Sequence, residues 1–155
     1  MEAITVGMGE VRVGRNNDVL QTFGIGSCVA VVLYDPACGI AGMVHAMLSA
    51  EGAATVQLAA HPLRFVERAI PSLLETLQRE GAQRRRLIAF LAGGARMFAT
   101  YSDPSNAIGP RNVEAARKTL RDLGIAIRQE DTGGTRGRNL LFAIATGTPT
   151  TETRQ

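Results

Sequence analysis

Apolar residues along this chain fall into two patterns. Three runs are almost continuously apolar: CVAVVLY (Cys28–Tyr34), IAGMVHAML (Ile40–Leu48) and LIAFL (Leu87–Leu91). Short runs without polar alternation predict strands buried on both faces. The first two are separated by the turn-rich DPACG (Asp35–Gly39), which predicts a hairpin. Elsewhere the pattern is helical: Leu63, Val66, Ile70, Leu73, Leu74 and Leu77 share one face, and Gly81 supplies a stop. Pro71 lies inside that stretch and predicts either a kink or two shorter helices. A second helix is expected from near Asn112 to Gly124, with Val113, Ala116, Leu120 and Leu123 inward.

Shorter strand signals stand around Ile4–Val6 and Val11–Val13, and IAIRQ (Ile125–Gln129) and NLLFAIA (Asn139–Ala145) close the fold. Together these elements predict an α/β protein of mixed, largely antiparallel sheets layered with helices as a sandwich. A single domain is expected over 1–147, followed by a polar, flexible tail at 148–155.

Composition narrows the classes. The chain has 155 residues, 45% hydrophobic and 20% charged, which suits one globular domain with a real core. No apolar stretch approaches the roughly 20 residues of a membrane span, and the N-terminus lacks a basic region leading into a long apolar one, so a cytoplasmic protein without membrane insertion is expected. Cys28 and Cys38 should be thiols, about 30 Å apart at strand rise. His45 and His61 have no Cys/His cluster around them, so neither metal nor cofactor is expected. The net charge of +3 would permit nucleic-acid binding, but aromatics are only 5% and the longest basic run is Arg84–Arg86, which reads as a solvated helix exit. No nucleic-acid partner is expected. GGARM (Gly93–Met97) lacks the endings of a phosphate loop. DTGGTRGR (Asp131–Arg138) could offer the Gly133 and Gly134 N–H groups, with Arg136 and Arg138, to an acidic partner, or could be a polar turn.

The candidate chemistry lies in the hairpin. With its turn centred on Pro36 and Ala37, Cys28 would face His45 directly across two antiparallel strands, with Cβ atoms roughly 4.5–5.5 Å apart. A slip of one residue would put the side chains on opposite faces. An imidazole beside a thiol can take its proton, stabilise the thiolate as an ion pair and protonate a leaving group. The turn before Cys28, with Gly24, Gly26 and Ser27, can point N–H groups at a developing oxyanion. The plainer alternative is a buried cysteine and a satisfied core histidine.

Five ordered segments, TFGIGSCVAVVLYD, GMVHAML, GGARM, IGPRN and DTGGTRGR, resemble the CheD family, the chemoreceptor glutamine deamidases of bacterial chemotaxis. The resemblance implies Cys28 as nucleophile, His45 as base and Thr22 as third catalytic residue, in a cysteine-hydrolase-like active site. It implies a chemoreceptor cytoplasmic helical bundle as substrate and a CheC-type phosphatase as partner. Ser49, Phe90 and Ala92 depart from the family pattern, and altered rim contacts are expected there. Two other readings remain open: a non-catalytic module that docks on receptors or the phosphatase, and a redox-sensing thiol protein.

Overall fold

A computed structural model describes residues 2–47, 60–96 and 108–153. Among the described residues nine strands form two sheets. They are β1 (Ala3–Thr5), β2 (Val11–Arg15), β3 (Val19–Ile25), β4 (Val29–Asp35), β5 (Ile40–Ala46), β6 (Ile88–Gly93), β7 (Ala126–Thr132), β8 (Arg138–Ala143) and β9 (Thr148–Thr153). The helices are α1 (Val66–Arg79) and α2 (Ile108–Asp122), with short 3-10 turns at Pro62–Arg64 and Arg84–Arg86.

The five-stranded sheet has the order β2-β5-β4-β6-β7 and the four-stranded sheet the order β1-β3-β8-β9. Only β1–β3 and β6–β7 pair in parallel. One face of the larger sheet carries Val29, Val31, Leu33 and Val44 against Ile70, Leu73 and Leu77 of α1 and Val113, Ala116 and Leu120 of α2. Its other face carries Ala30, Val32, Met43 and Phe90 against Leu20, Ile25, Leu140 and Phe142 of the smaller sheet. The larger sheet is therefore the middle of three layers, which is why its strands read as unbroken apolar runs. Each large apolar side chain so buried contributes on the order of 2 kcal/mol. The α/β sandwich expected from the sequence is the fold observed.

Several expectations need correction. Pro71 neither ends α1 nor divides it. The second helix begins at Ile108, one turn before the expected start, so Asn112 lies within it rather than capping it. The segment expected as a loose tail is largely a strand: Thr148–Thr153 pairs with β8 along its whole length. Its threonines suit a pleated strand, and Pro149 is tolerated because β9 is an edge. Arg86 is not a solvated exit but donates to both carboxylate oxygens of Asp35, at 3.0 Å each. Asp35 is fully buried at the far end of β4, and it also accepts from the N–H groups of Ala37 (3.1 Å) and Gln83 (2.9 Å). Burial pushes its carboxyl up, but the Arg86 guanidinium, the Gln83 N–H and the Cys38 side chain bring it down to about 2.

Candidate active site

The β4–β5 hairpin does not place Cys28 directly opposite His45. His45 pairs with Ala30, and the last pair of the ladder is Val29 with Ala46. The turn is centred on Ala37 and Cys38, one residue later than expected, and Gly39 at φ 65° closes it by donating its N–H to the Asp35 carbonyl at 3.0 Å. The register accordingly shifts by two residues. A shift of two, unlike a shift of one, keeps each side chain on its own face. Cys28 packs with Ala30 and Val32 toward the smaller sheet, and His45 follows Ala41 and Met43 on that side. The cysteine and histidine are thus diagonal neighbours at one end of the layer between the sheets.

Thr22 reaches this layer from β3 by way of a bulge. Thr22 pairs with Leu140 and Ile25 with Arg138, so β3 carries one residue more than β8 over that interval. Gly24 sits in the bulge at φ 69°, a conformation that favours glycine, and donates its N–H to Asn139 Oδ1 at 3.0 Å. The extra residue lets Thr22 and Ile25, three positions apart, both be fully buried while Phe23 is exposed.

Thr22 and His45 meet through a hydrogen bond of 2.9 Å between Thr22 Oγ1 and His45 Nδ1. Thr22 has a single hydroxyl proton, and it goes to the Val6 carbonyl at 2.7 Å. The hydroxyl oxygen is therefore an acceptor toward the ring, so Nδ1 carries the hydrogen and Nε2 presents its lone pair. Nε2 is buried without a hydrogen-bond partner among the described residues, in a residue only 3% exposed. An unpaired buried nitrogen is costly in a purely structural role. Burial holds the imidazolium form down, lowering the His45 pKa. It pushes the half-buried Cys28 thiol up, against the pull of the cysteine's own backbone N–H. Both directions favour the neutral form of each group.

The loop before Cys28 is held at three successive carbonyls. Gly26 accepts from Ala95 N (2.9 Å), Ser27 from Asn112 Nδ2 (2.9 Å) and Cys28 from Gly94 N (2.7 Å). The backbone of Gly93, Gly94 and Ala95 thus forms the floor under the cysteine, where a Cβ on Gly93 would collide with the Cys28 carbonyl oxygen. Gly133 N in turn donates to Gly93 O at 2.9 Å, and Arg96 N to Gly134 O at 2.9 Å. Arg138 is directed into its own loop, onto the carbonyl (2.7 Å) and carboxylate (2.8 Å) of Asp131, and is not offered to a partner.

Not every residue expected at the site is there in the expected role. The Gly24 N–H is engaged by Asn139, which leaves Gly26, Ser27 and Cys28 as the backbone nearest the thiol. Phe90 and Ala92 are not on a rim: both are buried between the sheets, with Phe90 against Phe142 at a ring separation of 5.1 Å. Ser49 lies outside the described residues. Asn112, expected at the start of the second helix, is buried against the Cys28 loop. Among the described residues no cluster of His, Cys, Asp and Glu could hold a metal ion, and no helix is long and apolar enough to cross a membrane.

Comparison with known proteins adds a family. The family described as CheD chemotactic sensory transduction matches residues 47–153. A probable chemoreceptor glutamine deamidase CheD of Caldanaerobacter subterraneus is 44% identical over 141 residues, covering 90% of this chain and 85% of its own. The chemoreceptor glutamine deamidase CheD of Thermotoga maritima is 42% identical, covering 92% of this chain and 86% of its own. A probable deamidase of the same name from Pyrococcus horikoshii is 38% identical, covering 95% and 90%. Among solved structures, the Bacillus licheniformis hypothetical protein YfiH aligns with 79% of this chain and 50% of its own at 15% identity and a TM-score of 0.49. The match to residues 47–153, together with relatives this similar over nine-tenths of its length, establishes that the chain belongs to the CheD family.

Proposed function

We propose that this protein is a chemoreceptor glutamine deamidase that hydrolyses receptor glutamine side chains to glutamate and ammonia, with Cys28 as nucleophile, His45 as general base and acid, and Thr22 as the residue that orients His45. The observation that carries this reading is His45 itself: Nδ1 tied to Thr22, Nε2 buried and unpaired among the described residues, on the same face as a half-buried thiol. Family membership and the names of the relatives support the substrate class.

The steps follow from the neutral resting pair. His45 Nε2 takes the thiol proton as Cys28 Sγ attacks the carboxamide carbon, and the carbonyl oxygen becomes an oxyanion that N–H groups of Gly26–Cys28 receive. The imidazolium is charged only in passing, with Nδ1–H donating to Thr22. His45 then protonates the departing amine, ammonia leaves and a thioester joins the glutamyl carbon to Cys28. Water, deprotonated by Nε2, hydrolyses the thioester and restores the thiol. Such chemistry needs one extended side chain from a helix surface, so the cytoplasmic helical bundle of a receptor suits the site, and a cytoplasmic location follows. The CheC-type phosphatase is the regulatory partner this reading includes.

The test is incubation of the purified protein with a chemoreceptor cytoplasmic fragment, followed by peptide mass spectrometry. Glutamines gaining about one dalton, with none gaining it under Cys28→Ala, is the expected result. Binding to the fragment without any mass gain would replace the enzyme by a docking module.

A further inference from the structure

The β4–β5 ladder ends at Val29 and Ala46, and the two segments that matter most lie at its open end. Ser27 precedes the cysteine and Met47 follows His45 by two residues. Between them stands one side chain from another layer. Asn112, 1% exposed in α2, donates from Nδ2 to the Ser27 carbonyl at 2.9 Å and to the Met47 carbonyl at 3.0 Å. A carboxamide nitrogen has two hydrogens, so both donors are used and the two carbonyls are held by one rigid planar group.

We propose that Asn112 is a positioning residue that sets the separation of Cys28 from His45 by clamping the chain on either side of the pair; the assignment rests on the reading of Cys28 and His45 as nucleophile and base. Beyond the end of the β4–β5 ladder and the Thr22 bond to the His45 ring, the other restraints described on these segments come from backbone groups. Gly26 and Cys28 are held by Ala95 and Gly94 N–H, the Met47 N–H donates to the Arg64 carbonyl at 3.0 Å, and the His45 carbonyl accepts from Gly9 N at 2.8 Å. Each ties one segment to a third part of the chain. The Asn112 amide ties the cysteine segment to the histidine segment themselves. Its helix is seated independently of it, with Val113, Ala116 and Leu120 in the core. Losing the amide therefore loosens a distance before it loosens a helix. Displacements of about 1 Å at a reacting pair cost on the order of 100-fold in rate.

The test uses the full chain with Cys38→Ser, so that only Cys28 is read, and follows iodoacetamide alkylation against pH. The parent protein should show an inflection that His45→Ala abolishes. Asn112→Ala should lose the same inflection, yet alkylate within about twofold of the parent at pH about 10, where the thiolate forms without a base. Deamidation by Asn112→Ala should fall roughly 10- to 100-fold in kcat with KM nearly unchanged. Asn112→Ser, which keeps one donor, should lie between. An inflection retained in Asn112→Ala overturns the proposal, and so does unfolding of both variants, which would make the residue structural. A parent profile with no His45-dependent inflection overturns the pairing beneath it. A parent that keeps the inflection but does not deamidate receptor leaves the clamp standing and refutes the substrate.

Discussion

Two buried polar sites flank β4, and they are built differently. At the Asp35 end every carboxylate oxygen is engaged: two backbone N–H groups and the Arg86 guanidinium surround it, and its pKa sits at about 2. At the Cys28 end Thr22 is satisfied twice over, yet His45 Nε2 has no partner among the described residues and the thiol is raised. The first arrangement spends its hydrogen bonds on holding the hairpin turn to the Arg84–Arg86 segment. The second keeps one basic nitrogen in reserve. A buried polar group that is completely paired stabilises, whereas one left open at a single atom is poised to react.

That contrast can be broken from either side. The largest effect is expected at the open end: Thr22→Val removes the acceptor for Nδ1–H, frees the ring to take the other tautomer and should lower kcat by about 100- to 10,000-fold with little change in melting temperature, read by deamidation kinetics and calorimetry. At the closed end, Asp35→Ala should do the reverse. It leaves Arg86 and the Gln83 N–H without their acceptor and should cost about 3 kcal/mol in denaturant unfolding, with Cys28 alkylation by the folded protein unchanged. The smallest effect is the acid limb. Because the Asp35 pKa is lower in the folded chain than in the unfolded one, its stabilisation is complete above pH about 4 and is lost as pH falls toward 2. The loss should be about 2 kcal/mol, and Asp35→Ala should remove it from the stability profile.

How much of this was readable beforehand differs by element. The middle-layer strands were legible because burial on both faces leaves unbroken apolar runs. β3 was not, since VLQTFGI loses its alternation at the bulge. Thr22 was therefore reached through the family resemblance and not through strand pattern. The hairpin itself was legible but its register was not, because the turn residues Asp35–Gly39 do not show which of them stands at the centre, and the ladder puts it at Ala37 and Cys38. Gly109 and Pro110 delayed the expected start of α2 and hid Asn112, whose place on the inner stripe appears only when the helix begins at Ile108. β9 escaped because threonines and a proline carry no apolar signal. The upward shift of the thiol and the downward shift of the imidazole come from burial, which no spacing rule reports.

The bulge in β3 has a consequence for how this chain can change over time. Substitutions in a strand are graded, since a smaller or larger side chain shifts its neighbours by fractions of an ångström. Loss or gain of one residue at Phe23–Gly24 is all or nothing, because side-chain direction alternates along a strand and everything on one side of the change swaps inside for outside. Thr22 and Ile25 face the same layer only while two residues, one more than a regular strand would place there, lie between them. Lineages can therefore vary the identity of the residues around this point, but the length of the segment is held by arithmetic.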